Sequence, residues 1–395
     1  MNLKSAIRIS YRKCFLYMIL LPYLKPYNVT LIPWLDNIYK AWKIVATLLI
    51  IFEFLRKKTR LHRSSVYLFA FLMTWMISLL INHAPIIDFG NNILSILGIM
   101  LLFEENYNNK FFKANLTKVL YSVAYIYILL NLITVMMGMP FFSAGIKLDD
   151  NANFLGGDNY SAFILITLCG FMFFNDLLYY KNIRTKTWVV AFIGLACLSI
   201  TFAFTGMLAY AIFLISVLFY RYSLWEKLLR WRNVVAFCAC LVIAIAYLHL
   251  DQLGGSFLKS IGKTGFNGRN MIWPRVITAI IKKPLLGYGG VDTELAATWF
   301  IAGANHAHNF LLEYPFSTGV IGTIFFVAYF TNCLKKTLCK DNRDIRVLLL
   351  TLGAYIICST FDFYIGLIYF YLLMEMIWLY KIRGNNQAET IVADD

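Results

Sequence analysis

Along almost its whole length the chain repeats one pattern: apolar stretches of about 15 to 20 residues, each closed by a short charged cluster. Roughly 20 residues of α-helix cross the hydrocarbon core of a bilayer, and every backbone N–H and C=O within it must be satisfied inside the protein. The pattern therefore predicts transmembrane helices. With 60% apolar and 14% charged residues, the chain lacks the charge to cover a water-soluble surface. Spans are expected at about 14–32 (broken by Pro22 and Pro26), 40–55, 66–82, 92–103, 119–138, 161–179, 187–203, 206–220, 233–250, 310–334, 346–361 and 364–380. This is an all-α integral membrane protein of about twelve transmembrane helices.

The net charge of +15 raises the question of nucleic acid, but lysine and arginine also collect on the cytoplasmic side of membrane proteins. With a cytoplasmic N-terminus, the inside segments are 1–13, 56–65, 104–118, 180–186, 221–232, 335–346 and the tail from 381, and they hold 26 of the 36 cationic residues. That asymmetry accounts for the charge, places both termini inside and leaves no call for a nucleic-acid partner. The eight cysteines include no CxxC pair and lie in apolar or inside segments, so neither a disulfide nor a cysteine-ligated metal is expected. Basic residues followed by the apolar run from Cys14 to Leu21 resemble a signal peptide, but Tyr23-Leu24-Lys25-Pro26 offers no small-residue cleavage site. The segment is read as a retained anchor. The expected organisation is one polytopic domain over 1–384 and a disordered cytoplasmic tail over 385–395.

Two external loops are long, 139–160 and 251–309. The second departs from the charge rule by carrying Lys259, Lys263, Arg269, Arg275, Lys282 and Lys283 outside, which points to an anionic ligand. Within it, apolar residues at 272, 273, 276, 277, 280 and 281 predict a one-sided helix over about 272–283, with Pro274 in its first turn and Pro284 after its end. Gly287 and Gly289 in "LLGYGG" let the backbone turn or approach a ligand closely.

"GANHAHNF" then sets His306 and His308 two positions apart at the mouth of the next apolar run. A neutral histidine suits deprotonation of an attacking hydroxyl; the plainer reading of His308 is a cap on the following helix. Arg269 suits bidentate binding of phosphate oxygens, or else pairs with a lipid headgroup or a loop acid. Arg275 falls on the polar side of the amphipathic helix. An extended HxH segment presents two metal ligands on one side, which is too few, so no metal is expected. Among acids within spans Glu375 lies deepest; a helix-to-helix hydrogen bond explains it as well as a functional role does.

The order Gly268-Arg269, Trp273, Pro284 with Gly287 and Gly289, His308-Asn309, then Gly319 with Gly322 resembles the signature region of the O-antigen ligase and polymerase superfamily. The resemblance implies a GT-C-like, metal-independent glycosyltransferase of the bacterial inner membrane, taking glycan from an undecaprenyl diphosphate carrier on the outer face. It implies Arg269 on the diphosphate and His308 on the acceptor, with Arg275, His306, Asn309, Gly287, Gly289 and Lys147 around the substrate. Membrane lipids, and a flippase and a chain-length regulator of the same pathway, would be its partners. One family arginine is missing: Phe204 stands in its place in "TFAFTGML", and Lys147 or Arg275 is the substitute expected. That gap, with the wording around His308 and "NFLGGDNYSAF", favours a polymerase joining repeat units of O-antigen, capsule or exopolysaccharide. The alternatives are a ligase transferring finished glycan to lipid A core, a lipid-linked sugar flippase, or an assembly scaffold.

Overall fold

The computed structural model describes residues 13–139, 141, 152–222, 224–230, 232–234, 236–237, 240, 269–291, 306–335, 337 and 344–381. Twelve helices suffice to place the site: α1 (Lys13–Leu24), α2 (Pro33–Lys57), α3 (Arg63–Ile81), α4 (Ile86–Glu105), α5 (Lys110–Met137), α6 (Asp158–Tyr180), α7 (Thr185–Ile200), α8 (Phe204–Leu218), α9 (Arg269–Lys282), α10 (Phe310–Leu334), α11 (Ile345–Ser359) and α12 (Ile368–Tyr380). No strand occurs among the described residues; the only pairing of that kind is a single bridge between Asn153 and Gly156. Four helices, α3, α5, α6 and α10, are long and apolar enough to span a membrane. Most of the expected span at 233–250, and Lys147, lie outside the described residues.

Helices α6 and α12 are buried along their length and form the centre of the bundle. Around them α5 and α11 pack on α6, α4 packs on α12, and α3 lies along α10. The outer faces carry exposed apolar side chains such as Leu48, Phe52 and Leu55 on α2 and Val189 and Phe192 on α7. An apolar belt of this extent is a surface for lipid. The expected first span over 14–32 is corrected: α1 ends in a tight turn over Leu21–Leu24, and Pro26 and Pro33 restart the chain as new segments, because proline donates no hydrogen bond to a preceding turn.

The two ends of the bundle differ in charge. One carries Arg56, Lys57, Lys110, Lys186, Arg221 and Lys381 at or beside helix termini. The other holds the histidine pair at the start of α10. Arg346, buried at the basic end, donates to the carbonyls of Tyr220, Arg221 and Tyr222 at the end of α8.

The segment over 310–334, expected as one helix, is broken at Gly319, whose φ of 63° and ψ of −170° belong to a region open essentially to glycine alone. The break strands carbonyls before it and amides after it, and the chain over 284–289 fills both. Tyr288 N donates to Phe316 O (2.9 Å) and Gly289 N to Ser317 O (2.8 Å), while Val320 N donates to Pro284 O (2.7 Å) and Ile321 N to Leu285 O (3.3 Å). From α3, Trp75 Nε1 donates to Gly289 O (2.6 Å), Ser78 Oγ to Ser317 O (3.1 Å) and Asn82 Nδ2 to Gly287 O (3.1 Å). Irregular backbone at membrane depth is tolerated when satisfied in this way. A Cβ on Gly319 would sit 2.2 Å from Leu285 O, and one on Gly287 2.4 Å from Phe316 O. Gly319→Ala and Gly287→Ala should each cost about 1–3 kcal/mol of stability. Gly353→Ala, in α11 with nothing near the added methyl, should be neutral or gain up to about 1 kcal/mol. Thermal unfolding of the detergent-purified variants measures the contrast.

Candidate functional site

Amphipathic helix α9 begins at Arg269, three residues earlier than expected, which puts Pro274 in its second turn. Its apolar face, Ile272, Trp273, Val276 and Ala279, packs against Tyr288, Val291, Ala307, Leu312 and Phe316. The helix is thereby clamped to both the inserted segment and the start of α10. Its first residue, Arg269, is largely buried, and its Nε donates to the carbonyl of Phe361, in the turn between α11 and α12. A cation at a helix N-terminus opposes the helix dipole. Burial also pushes the Arg269 guanidinium below its ordinary pKa, against the pull of the Asp362 and Tyr364 charges.

The histidine segment is fixed from three directions. Asn309 caps α10, its Oδ1 accepting from Leu311 N (2.9 Å) and Leu312 N (3.3 Å), while its Nδ2 donates to Thr360 O (2.8 Å). The cap considered for His308 therefore belongs to Asn309. Buried Glu313, one turn into α10, accepts from Ala307 N at Oε2 (2.7 Å) and from Ser317 Oγ at Oε1 (2.8 Å). Held on both sides, His308 adopts φ of 50°, a left-handed conformation uncommon outside glycine.

Both imidazoles converge on Asp362. His308 Nδ1 lies 2.9 Å and His306 Nε2 3.2 Å from the same oxygen, Oδ1. The two rings are 3.8 Å apart between centroids, and His306 also lies 4.6 Å from the ring of Tyr364. Burial pushes the Asp362 carboxyl up, but hydrogen bonds from His306 and His308 and their charge outweigh it and hold the carboxyl below its ordinary value. Burial lowers the pKa of His308; the Asp362 hydrogen bond and charge oppose that shift, and the charges of His306 and Arg269 add to it. The balance favours the neutral imidazole, with Nδ1 turned to a carboxylate. Its side chain is still 21% exposed, so the ring is reachable.

Arg269, His306, His308 and Asn309 thus come together from one long loop. Arg275, also on α9, is exposed. Gly287 and Gly289 are accounted for by protein packing, against the break in α10 and against the backbone of Leu79 in α3. Phe204 opens α8, whose first turn is tied to α6 by Gly206 N donating to Asn159 Oδ1 (3.2 Å). Glu375 accepts from Tyr329 OH (3.0 Å), a bond from α12 to α10.

Asp362 is the residue that sequence reasoning passed over. It stands in "STFDFYIG", an acid between two apolar spans, and that isolation was its only signal. With it the count of metal ligands rises from two to three: His306, His308 and Asp362 bring one donor atom each within 4.8 Å of one another. The set fits a transition metal by ligand type. In the geometry seen, however, both nitrogens address a single carboxylate oxygen at hydrogen-bond distance.

Residues 189–327 match a family model described as O-antigen ligase, a segment that runs from α7 through the break in α10. No curated protein matches the chain. The His308 imidazole should titrate below 6.5, and Asp362→Asn should lower it further, because the carboxylate is what raises it. Histidine-selective isotope labelling and NMR titration would read both values; a titration above 6.5 would contradict the burial argument.

Proposed function

We propose, for a chain whose residues 189–327 match a family model described as O-antigen ligase, that it is a polysaccharide polymerase. It would join oligosaccharide repeat units carried on undecaprenyl diphosphate, with the histidine end of the bundle outside and the basic end in the bacterial cytoplasm. The observation that carries the reading is the part-buried His308–Asp362 pair beside Arg269.

In the reaction, Asp362 accepts the Nδ1–H of His308 and fixes the tautomer whose Nε2 carries the lone pair. Nε2 takes the proton of an acceptor sugar hydroxyl as the hydroxyl oxygen forms its bond to the anomeric carbon of the donor. The bond from that carbon to the phosphate oxygen breaks, and the electron pair leaves with undecaprenyl diphosphate. Arg269, fixed through Nε, offers its charge to the departing diphosphate, which needs charge stabilisation more than a proton. His306 and Tyr364 wall the acceptor side, and Asn309 and Glu313 hold the loop in register. The site needs no metal in this reading, since arginine and the helix N-terminus at Arg269 serve the anion.

The ligase reading draws on the description of the matched family, and the two differ in product. Deleting the gene and sizing the surface glycan separates them: a polymerase loss leaves single repeat units, whereas a ligase loss leaves long chains on the lipid carrier. A flippase reading would want its ligand-binding groups near mid-bilayer, whereas His306, His308, Asp362 and Arg269 gather at one end of α9 and α10.

His308→Ala and Arg269→Ala should each reduce polymerisation by about 100- to 10,000-fold with the protein still in the membrane. A fully active His308→Ala protein would exclude the mechanism. Activity should persist as pH falls through 6.5 and be lost only below it, because the base form of His308 survives to lower pH than that of an ordinary histidine. Exhaustive chelation should leave the rate unchanged; loss restored by added zinc or manganese would assign the His306–His308–Asp362 cluster to a metal.

A further inference from the structure

His306, His308 and Asp362 offer more than an acid–base pair. Three side chains of the kinds that hold a transition metal meet from two separate parts of the chain, the approach to α10 and the turn between α11 and α12. One donor atom from each lies within 4.8 Å of the other two. With bonds of about 2.0–2.2 Å to nitrogen and oxygen, the edge of a zinc tetrahedron is about 3.3–3.5 Å. His308 Nδ1 and His306 Nε2 stand 2.9 and 3.2 Å from Asp362 Oδ1, so small ring tilts open both edges far enough to admit an ion.

The loop holds the three donors in place without being closed off. Ala307, between the histidines, is fully buried and its N–H donates to Glu313 Oε2 (2.7 Å). Asn309 ties the segment to Thr360 O (2.8 Å), two residues before Asp362. Ligands fixed from behind in this way bind metal more tightly than free side chains do. The side chains of His306, His308 and Asp362 nevertheless stay 12%, 21% and 9% exposed, so an ion has a way in.

Ligand type selects the ion. Two imidazoles and one carboxylate suit zinc, whereas magnesium and calcium want oxygen shells. One group opposes a cation: Arg269, whose charge acts on both Asp362 and His308. Its presence weakens the site and supplies a test of it.

The nitrogen that takes the ion decides the consequence. A neutral imidazole has one proton, and a metal on Nδ1 leaves that proton only Nε2. No proton leaves the ring; it changes places. Nε2 then becomes a donor and has no lone pair with which to deprotonate a hydroxyl.

We propose that His306, His308 and Asp362 form an inhibitory zinc site, in which the ion replaces the hydrogen bonds to Asp362 and locks His308 with its proton on Nε2. The site stands on the three donors themselves; its effect on catalysis rests on the glycosyl-transfer reading, in which His308 Nε2 is the base.

Full-length protein in detergent, stripped with chelator and titrated with zinc chloride in a calorimeter, tests the site. Zinc should bind, and about a hundred-fold excess of magnesium should not compete. His306→Ala, His308→Ala and Asp362→Ala should each weaken zinc by at least about ten-fold. His83→Asn, at an exposed histidine outside the cluster, should change binding by less than about two-fold. Arg269→Gln should tighten it by roughly three- to ten-fold, a gain that misfolding would not produce. No zinc binding, or equal losses in the cluster variants and His83→Asn, would overturn the proposal. On wild-type protein, histidine-selective nitrogen labelling and NMR should show zinc moving the His308 proton from Nδ1 to Nε2; a proton kept on Nδ1 with zinc bound would also overturn it. In a transfer assay with lipid-linked oligosaccharide, zinc should lower kcat with little change in KM, and chelator should restore the rate. A rate raised by zinc, or one unmoved by bound zinc in a protein that His308→Ala inactivates, would sink the inhibitory step. Zinc bound by a protein whose His308→Ala variant is fully active would instead leave the metal site standing and remove the glycosyl-transfer reading.

Discussion

The architecture turns on the exchange of backbone hydrogen bonds between the break at Gly319 and the segment over 284–289. A helix interrupted inside a membrane leaves orphaned carbonyls and amides that no water reaches, and such a break survives only if protein supplies the missing partners. Here Pro284, Leu285, Tyr288 and Gly289 supply them by main chain, and Trp75, Ser78 and Asn82 close the remaining side from α3. Glycines at 287, 289 and 319 are what that approach requires, because a methyl at any of them would overlap backbone.

The site inherits its geometry from that exchange. Once the segment over 284–289 is locked into α10, α9 immediately before it has a fixed end, and its apolar face settles on Ala307 and Phe316. That packing delivers Arg269 to the turn between α11 and α12, where Asp362 waits. The same turn offers Thr360 O to Asn309 and Phe361 O to Arg269, so three consecutive residues, Thr360, Phe361 and Asp362, organise a loop that lies about 50 to 90 positions earlier in the chain. Glu313 then ties Ala307 down and leaves His308 in its left-handed conformation. The strain at His308 is carried by neighbours that contact no reacting atom in the proposed chemistry.

Electrostatically the molecule is two-ended. At one end, His306, His308 and Arg269 gather on the buried carboxylate of Asp362, and burial lowers the pKa of His308. At the other, cations such as Arg56, Lys57, Lys110 and Lys381 gather at helix termini. The long α6, buried through its apolar stretch, runs between the two ends.

The sequence by itself determined that the chain is a bundle of apolar helices, where most of them lie, that an amphipathic helix stands in the loop, and that Arg269 and His308 deserve attention. Those features follow from hydropathy, periodicity and charge bias, which are local properties of the chain. Only the tertiary structure decided that Asp362 joins both histidines, that Asn309 rather than His308 caps α10, and that Gly287 and Gly289 serve packing. Each of those depends on contacts between residues tens of positions apart, set by how helices pack once their backbone groups must be satisfied without water. An isolated acid between two apolar spans carries no periodicity and no motif. Its meaning came from what folded onto it.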